Sequence, residues 1–346
     1  MEPFHSRFAG VIESFAWPLI STEEKTKMSE FADSTTILAV EGGGTKTRAW
    51  LAVGDPAAPR VLASRDGGPS NAQTNDPMVV ARLVRELLDQ LLADAGLSRD
   101  RISVLSMGMA GVSSDQDRLK LLSALATCEM GEPVTLTSDV RAVLMGASQG
   151  DDAIVLIAGT GSIAWGVSRT GKEARSGGWG SGVGDEGSGH AIGREALKRI
   201  SWMLDGRARP FRLAKTIQGF LGLSDTAELG RWIRENGHRP REVARVARAV
   251  TAVVGIDSTA RAILVHAADD LVRLVRSVQS SLALPDQVRV VLYGGLLIQS
   301  VDYQRMVRER IGKALSDANV TTGDPDLALR GLVFLGHQKL AQWRPM

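Results

Sequence analysis

One internal echo constrains the fold more than any other feature of this chain. The segment Ile37-Leu-Ala-Val-Glu41 runs into Gly42-Gly-Gly-Thr-Lys46 and then Thr47-Arg-Ala-Trp-Leu-Ala-Val53. Later, Ile154-Val-Leu-Ile-Ala158 runs into Gly159-Thr-Gly-Ser162 and Ile163-Ala-Trp-Gly-Val167. Each copy reads as an apolar strand, a glycine-rich turn and a second strand. Glycines tolerate positive φ and let backbone N–H groups approach a ligand closely, while β-rich flanks set the turn at the edge of a buried sheet. Two such hairpins, one per half, predict two related domains that face a shared ligand.

The intervening pattern alternates short apolar strands with amphipathic helices, which predicts an α/β fold. In the first half strands are expected near Thr36–Glu41, Thr47–Val53, Val61–Arg65, Ile102–Met109 and Val134–Ser138. Helices are expected near Pro77–Ala95, Asp115–Cys128 and Val140–Ser148. In the second half strands fall near Ala153–Ala158, Ser162–Val167 and Val288–Tyr293. Helices fall near Ser188–Leu204, Pro210–Leu221, Ala227–Asn236, Pro240–Val254, Ser258–Ser281, Tyr303–Ser316 and Leu327–Gln342. The domain boundaries predicted from this are 36–148 and 149–346, with the last helix packing back on the first domain and residues 1–35 forming an N-terminal extension. Phe4, Phe8, Val11, Ile12, Phe15 and Trp17 within that extension offer a short amphipathic helix as the alternative to an unstructured arm.

Composition excludes several classes. The chain has 346 residues, 44% of them hydrophobic, enough for a large core divided over about two domains. Formal net charge is +2, so no general electrostatic case for nucleic-acid binding exists. The single cysteine, Cys128, rules out an internal disulfide and an iron–sulfur cluster held within one chain, and points to a reducing cytoplasm. No apolar run approaches the roughly 18 residues of a membrane span. The arginines of Glu242–Val254 alternate with a Val/Ala stripe at core-facing helical spacing, which predicts a buried face and a solvated one. Met107 and Met109 read as packed strand residues.

Five segments occur in a telling order: Glu41-Gly-Gly-Gly-Thr-Lys46, Ser138-Asp139, Gly159-Thr-Gly-Ser162, Gly184-Asp-Glu-Gly-Ser188 and Tyr293-Gly-Gly295. In this order they resemble the N-acetylglucosamine kinase family and the broader BadF/BadG/BcrA/BcrD ATPase group of the sugar kinase, heat-shock chaperone and actin superfamily. The resemblance implies two actin-like, ribonuclease H-like ATPase domains with an interdomain cleft, the second domain being helix-rich. It implies ATP and Mg²⁺ as cofactors, a small-molecule sugar as substrate, neither nucleic acid nor membrane as partner, and a homodimer.

The resemblance also assigns roles. Gly43, Gly44, Thr45 and Lys46 would cradle the β- and γ-phosphates, and Gly159, Thr160, Gly161 and Ser162 would form a second phosphate loop. Gly294 and Gly295 would pass close to adenosine. Glu41 stands where the family usually has Asp, whose carboxylate helps hold Mg²⁺, commonly through water. Asp139 would be the catalytic base that accepts the sugar hydroxyl's proton. Asn71, Gly178, Asp185, Glu186 and Asp139 itself would contact the sugar, with Gly108, Ala110 and Gly111 lying against it.

Plain readings stand beside these. The turns are also compatible with ordinary hairpins, Asp139 with a helix N-cap, and Asp185 with a cap in a solvated acidic loop. The implied reaction is phosphorylation of N-acetylglucosamine to its 6-phosphate, with glucosamine or N-acetylmuramate as alternative acceptors. A sugar- and ATP-responsive binding protein that has lost the chemistry is the alternative from another class.

Overall fold

A computed structural model of the protein describes residues 35–342 apart from 113, 131–132 and 210. The expectations for residues 1–34 therefore lie outside the described residues. The chain divides into two units. Of the described residues, one comprises those from 35 to 151, Val167–Glu173 and those from 324 to 342; the other comprises Asp152–Gly166 and Ala174–Gly323. The C-terminal segment, assigned by sequence to the second domain with its last helix turned back, thus clusters with the first.

The first unit is built on a five-stranded sheet of order β3-β2-β1-β4-β5. Its strands are β1 (Thr36–Gly42), β2 (Thr47–Val53), β3 (Arg60–Gly67), β4 (Ile102–Met109) and β5 (Val134–Ser138). β1, β2 and β3 form an antiparallel meander, and β4 and β5 extend it in parallel beyond β1. β1 is buried almost throughout because it sits at the centre with helices over both faces. Leu38, Val40, Leu105 and Met107 point to one face, where they pack with α1 (Pro77–Ala95) and α2 (Asp115–Thr127) through Val84, Leu88, Leu121 and Leu125. α1 starts cleanly because the Asp76 carboxylate accepts the Met78 N–H at 2.8 Å and Pro77 occupies the first turn. On the opposite face lie α3 (Asp139–Ser148) and α11 (Leu327–Gln342). These helices touch backbone to backbone: a Cβ added at Gly331 would stand 1.9 Å from the Ala142 carbonyl oxygen, and one at Gly146 2.0 Å from that of Leu327.

The second unit repeats the strand order in its own residues: β10-β9-β6-β7-β8, with β6 (Ala153–Ala158) taking the central place that β1 takes in the first. β7 (Ser162–Val167) and β8 (Glu173–Gly177) lie on one side of β6, and β9 (Arg289–Tyr293) and β10 (Asn319–Thr322) lie parallel on the other. Its core joins Ile154 and Leu156 to α4 (Gly189–Leu204), α5 (Arg212–Phe220), α6 (Thr226–Asn236), α7 (Pro240–Ala252), α8 (Ser258–Ser281) and α10 (Val301–Ala314). In α7 the residues Val243, Val246, Ala247 and Val250 are buried as their spacing predicts. β8, β10 and the short α9 (Gly295–Gln299) are absent from the sequence expectation. β8 and β10 carry no apolar alternation, and α9 spans little more than one turn.

Candidate active site

In the first unit the register gathers the candidate residues at one sheet edge. Glu41 pairs with Gly108, and Gly42 with Met109; Met109 pairs in turn with Ser138. The β1–β2 turn and the start of α3 therefore open from the same end of the sheet, on β1 and β5 with β4 between them, two strand spacings or roughly 10 Å apart. Gly43 closes the turn by donating its N–H to the Lys46 carbonyl at 3.0 Å. Gly44, Thr45 and Lys46 are exposed, and Lys46 lies 3.8 Å from Asp66.

The segment after β3 is laced beneath this turn. Ser70 N–H donates to the Gly43 carbonyl at 2.9 Å, Ala110 N–H to Gly42 at 2.8 Å, and Ala72 N–H to Ala110 at 2.9 Å. The Thr47 hydroxyl donates to the Gly68 carbonyl at 2.6 Å and meets the Ser70 hydroxyl at 2.6 Å. Asn71 is thereby held beside Gly111, where an added Cβ would come within 2.4 Å of Asn71 Oδ1. That oxygen accepts the Gln73 N–H at 2.9 Å.

Asp139 is the first residue of α3, and the N-cap is Ser138, whose hydroxyl accepts the Arg141 N–H at 3.2 Å. The capping role open to Asp139 from sequence is thus filled by its neighbour. Asp139 Oδ1 accepts the Val140 N–H at 2.9 Å. Burial pushes this carboxyl's pKa above the usual carboxylate value, and backbone hydrogen bonds only partly oppose it. A carboxylate with a raised proton affinity at a sheet edge is suited to accept a proton.

Glu41 is half-buried and ion-paired: Arg48 contacts its Oε2 through Nε at 2.9 Å and Nη2 at 2.5 Å. Arg48 also reaches Asp326 Oδ1 at 2.9 Å and the Pro325 carbonyl. No group of three or more His, Cys, Asp or Glu side chains is arranged to hold a metal among the described residues. With Oε2 engaged, Oε1 remains for a water-mediated contact. A Mg²⁺ that kept most of its waters could be met by this oxygen through one of them, whereas a tighter all-protein cage is not formed among the described residues.

In the second unit the turn Gly159–Ser162 follows β6, and Gly159 N–H donates to the Gly161 carbonyl at 2.9 Å. Three supports brace it. The first N–H groups of α4 donate to it, Gly189 to Gly159 at 2.8 Å and His190 to Thr160 at 3.1 Å. The Asp185 carboxylate accepts the Ser162 N–H at 3.2 Å, and the Ser162 hydroxyl donates to the Glu186 carbonyl at 2.7 Å. Gly294, at φ 94°, passes so close that a Cβ there would stand 2.5 Å from the Ala158 carbonyl oxygen. Gly295 follows as the first residue of α9.

Positive φ, the reason first offered for glycine in both turns, does not hold for Gly43, Gly159 or Gly161. Gly161 is small because its Cβ would meet the Asp185 carboxylate at 2.8 to 2.9 Å. Gly178 (φ 72°) and Glu186 are exposed, whereas Asp185 is buried against the turn. Sequence reasoning missed Arg48, although Glu41 and Arg48 directly oppose each other in the β1–β2 register. It also missed the buried His190, whose Nδ1 has no hydrogen-bond partner.

Two sheets of one strand order, each presenting a glycine turn from its central hairpin, define a duplicated α/β fold. The chain belongs to the BadF/BadG/BcrA/BcrD ATPase family, which it matches over residues 38–323. It is 30% identical to the N-acetylmuramic acid/N-acetylglucosamine kinase of Clostridium acetobutylicum, covering 77% of this chain and 87% of that one. It is 26% identical to the N-acetyl-D-glucosamine kinase of Dictyostelium discoideum, over 84% of this chain and 95% of that one. Among solved structures it resembles a Chromobacterium violaceum protein provisionally named N-acetylglucosamine kinase, with a TM-score of 0.67 and 27% identity over 87% of this chain and 99% of the other. The ROK hexokinase of Thermus thermophilus shares the fold at a TM-score of 0.58 and 19% identity, over 86% of this chain and 97% of that one.

Proposed function

We propose that this chain is an ATP-dependent carbohydrate kinase that phosphorylates an amino sugar, with N-acetylglucosamine and its 6-hydroxyl as the acceptor. The observation that carries the reading is Asp139: a partly buried carboxylate of raised proton affinity, at the sheet edge that also bears the Gly43–Lys46 turn. Relatives named for N-acetylglucosamine and N-acetylmuramic acid support the amino-sugar class.

In the proposed reaction the sugar oxygen bonds to the γ-phosphorus, the bridging bond to the β-phosphate breaks, and ADP leaves. The hydroxyl proton passes to Asp139. The N–H groups of Gly44, Thr45, Thr160 and Gly161, with the Lys46 ammonium, are proposed as donors to the phosphates, because phosphoryl transfer depends on positioning and charge neutralisation; the N–H groups of Gly43, Gly159 and Ser162 are engaged within the turns, whose shape they hold. Mg²⁺, when bound, supplies further neutralisation, and Glu41 Oε1 is the proposed point of contact for its waters. Gly294 and Gly295 are proposed to lie against adenosine. Asn71, Gly178, Asp185 and Glu186 are proposed as sugar contacts, with Asp185 also stiffening the phosphate turn.

A coupled ADP assay against N-acetylglucosamine, N-acetylmuramate and glucosamine tests the reading. Failure of every amino sugar to raise ADP release above the sugar-free rate would sink it. The Glu41–Arg48 pair favours one second reading, a sugar-binding protein without turnover, because the carboxylate is already neutralised. Sugar-dependent thermal stabilisation without ADP formation is its signature.

A further inference from the structure

α3 carries an ion pair that the proposed reaction does not use. Arg141 Nε donates to Glu173 Oε1 at 2.8 Å, and the two side chains are only 7% and 10% exposed. Such a pair contributes little net stability over well-packed apolar residues, because desolvation offsets the attraction. A cation in the first turn of a helix also faces the wrong end of the dipole. Stability is therefore a poor reason for Arg141, and directional geometry a better one.

Its neighbours show what the geometry fixes. The Arg141 N–H is held by the Ser138 cap, and Asp139 lies between the two. Farther along α3, Gly146 and Ala142 are locked against α11 by backbone contact, so the helix has little freedom to shift. Glu173 opens β8 directly after the β7–β8 turn, and Val167–Glu173 cluster with the first unit. β7 begins at Ser162 within the second glycine turn, and β8 ends at Gly177, where the loop bearing Gly178, Asp185 and Glu186 begins. The cavity beside the pair, lined also by Ser148 and Gln338, measures about 30 Å³, which suits one or two waters and no substrate.

We propose that Arg141 and Glu173 are positioning residues: their ion pair fastens the β7–β8 hairpin to the helix that begins with Asp139. One anchor then serves the proposed base, the turn that precedes β7 and the loop that follows β8. The rate consequence rests on the kinase reading above; the mechanical one does not.

The test replaces both partners at once. Arg141→Met/Glu173→Leu removes the charges while leaving comparable volume, a change that buried pairs tolerate in stability. The expected result is a kcat lower by about tenfold or more, since small misplacements of reacting groups are costly. Thermal midpoint and both KM values should stay close to those of the parent, and amide hydrogen exchange should quicken in 138–141 and in 159–162. Glu173→Gln, which keeps an acceptor, should lose less, and the reversed pair Arg141→Glu/Glu173→Arg should recover part of the rate. An unaltered kcat and exchange pattern in the double variant would overturn the proposal, as would a rate loss that merely tracks lost stability. If the parent protein turns over no amino sugar, the kinase reading fails separately, and the exchange measurement decides the anchor alone.

Discussion

Glu41 and Arg48 face each other across the β1–β2 ladder, and the guanidinium grips one carboxylate oxygen through Nε at 2.9 Å and Nη2 at 2.5 Å. The same arginine is tied to Asp326 at 2.9 Å. The carboxylate is thus held in one orientation, and only Oε1 is left for a hydrated cation. Glu41→Gln keeps the shape and removes the charge. It should raise the Mg²⁺ concentration needed for half-maximal rate while leaving the KM for sugar nearly unchanged, as a metal titration of initial rates will show.

Asp139→Asn should lower kcat by about 10²- to 10⁴-fold, the usual contribution of a general base. Sugar affinity, measured calorimetrically, should fall much less, because an amide keeps a hydrogen-bonding oxygen at the same place. Unchanged turnover would remove Asp139 from the reaction.

The direction of the Asp139 shift carries a pH prediction. Burial raises its pKa in the folded state, so the base form is reached at a higher pH than for an ordinary carboxylate near 4. The acid limb of kcat/KM should lie correspondingly high. Stability has the opposite slope: between the ordinary and the raised value the folded state binds more protons than the unfolded one, so stability falls as pH rises through that window. Asp139→Asn should lack this fall and melt higher than the parent at neutral pH, as thermal scans across pH will test.

Gly331→Ala should be strongly destabilising, by about 1–3 kcal/mol or more, because overpacking is costly when backbone must move. The added methyl would stand 1.9 Å from the Ala142 carbonyl oxygen on α3, the helix that Asp139 opens. Denaturant melts should show the loss, with reduced kcat in the surviving folded protein.

Gly161→Ala tests the second turn. The methyl would press on the Asp185 carboxylate that accepts the Ser162 N–H. The KM for ATP should rise several-fold, with little change in global stability because Gly161 is not in the left-handed region.

What the sequence by itself determined is local in origin. Strands β1, β2, β4, β6 and β7 and helices such as α1 and α8 were legible because their apolar periods and caps lie within a short window of chain. The placement of Asp139 directly after an apolar strand was legible for the same reason, as was the repeated strand–turn–strand pattern from which two related domains were expected. Tertiary structure alone decided the rest. Which strand ends share an edge depends on register, and so does the pairing of Glu41 with Arg48. The Arg141–Glu173 contact spans 32 residues, and the Ser162–Asp185 bond that braces the second glycine turn joins positions 23 apart. β8 and β10 exist because neighbouring strands supply their hydrogen bonds, with no periodicity of their own to announce them. Periodicity reports which face of an element is buried; it says nothing about which distant residue meets that face, since that is settled only when the whole sheet closes.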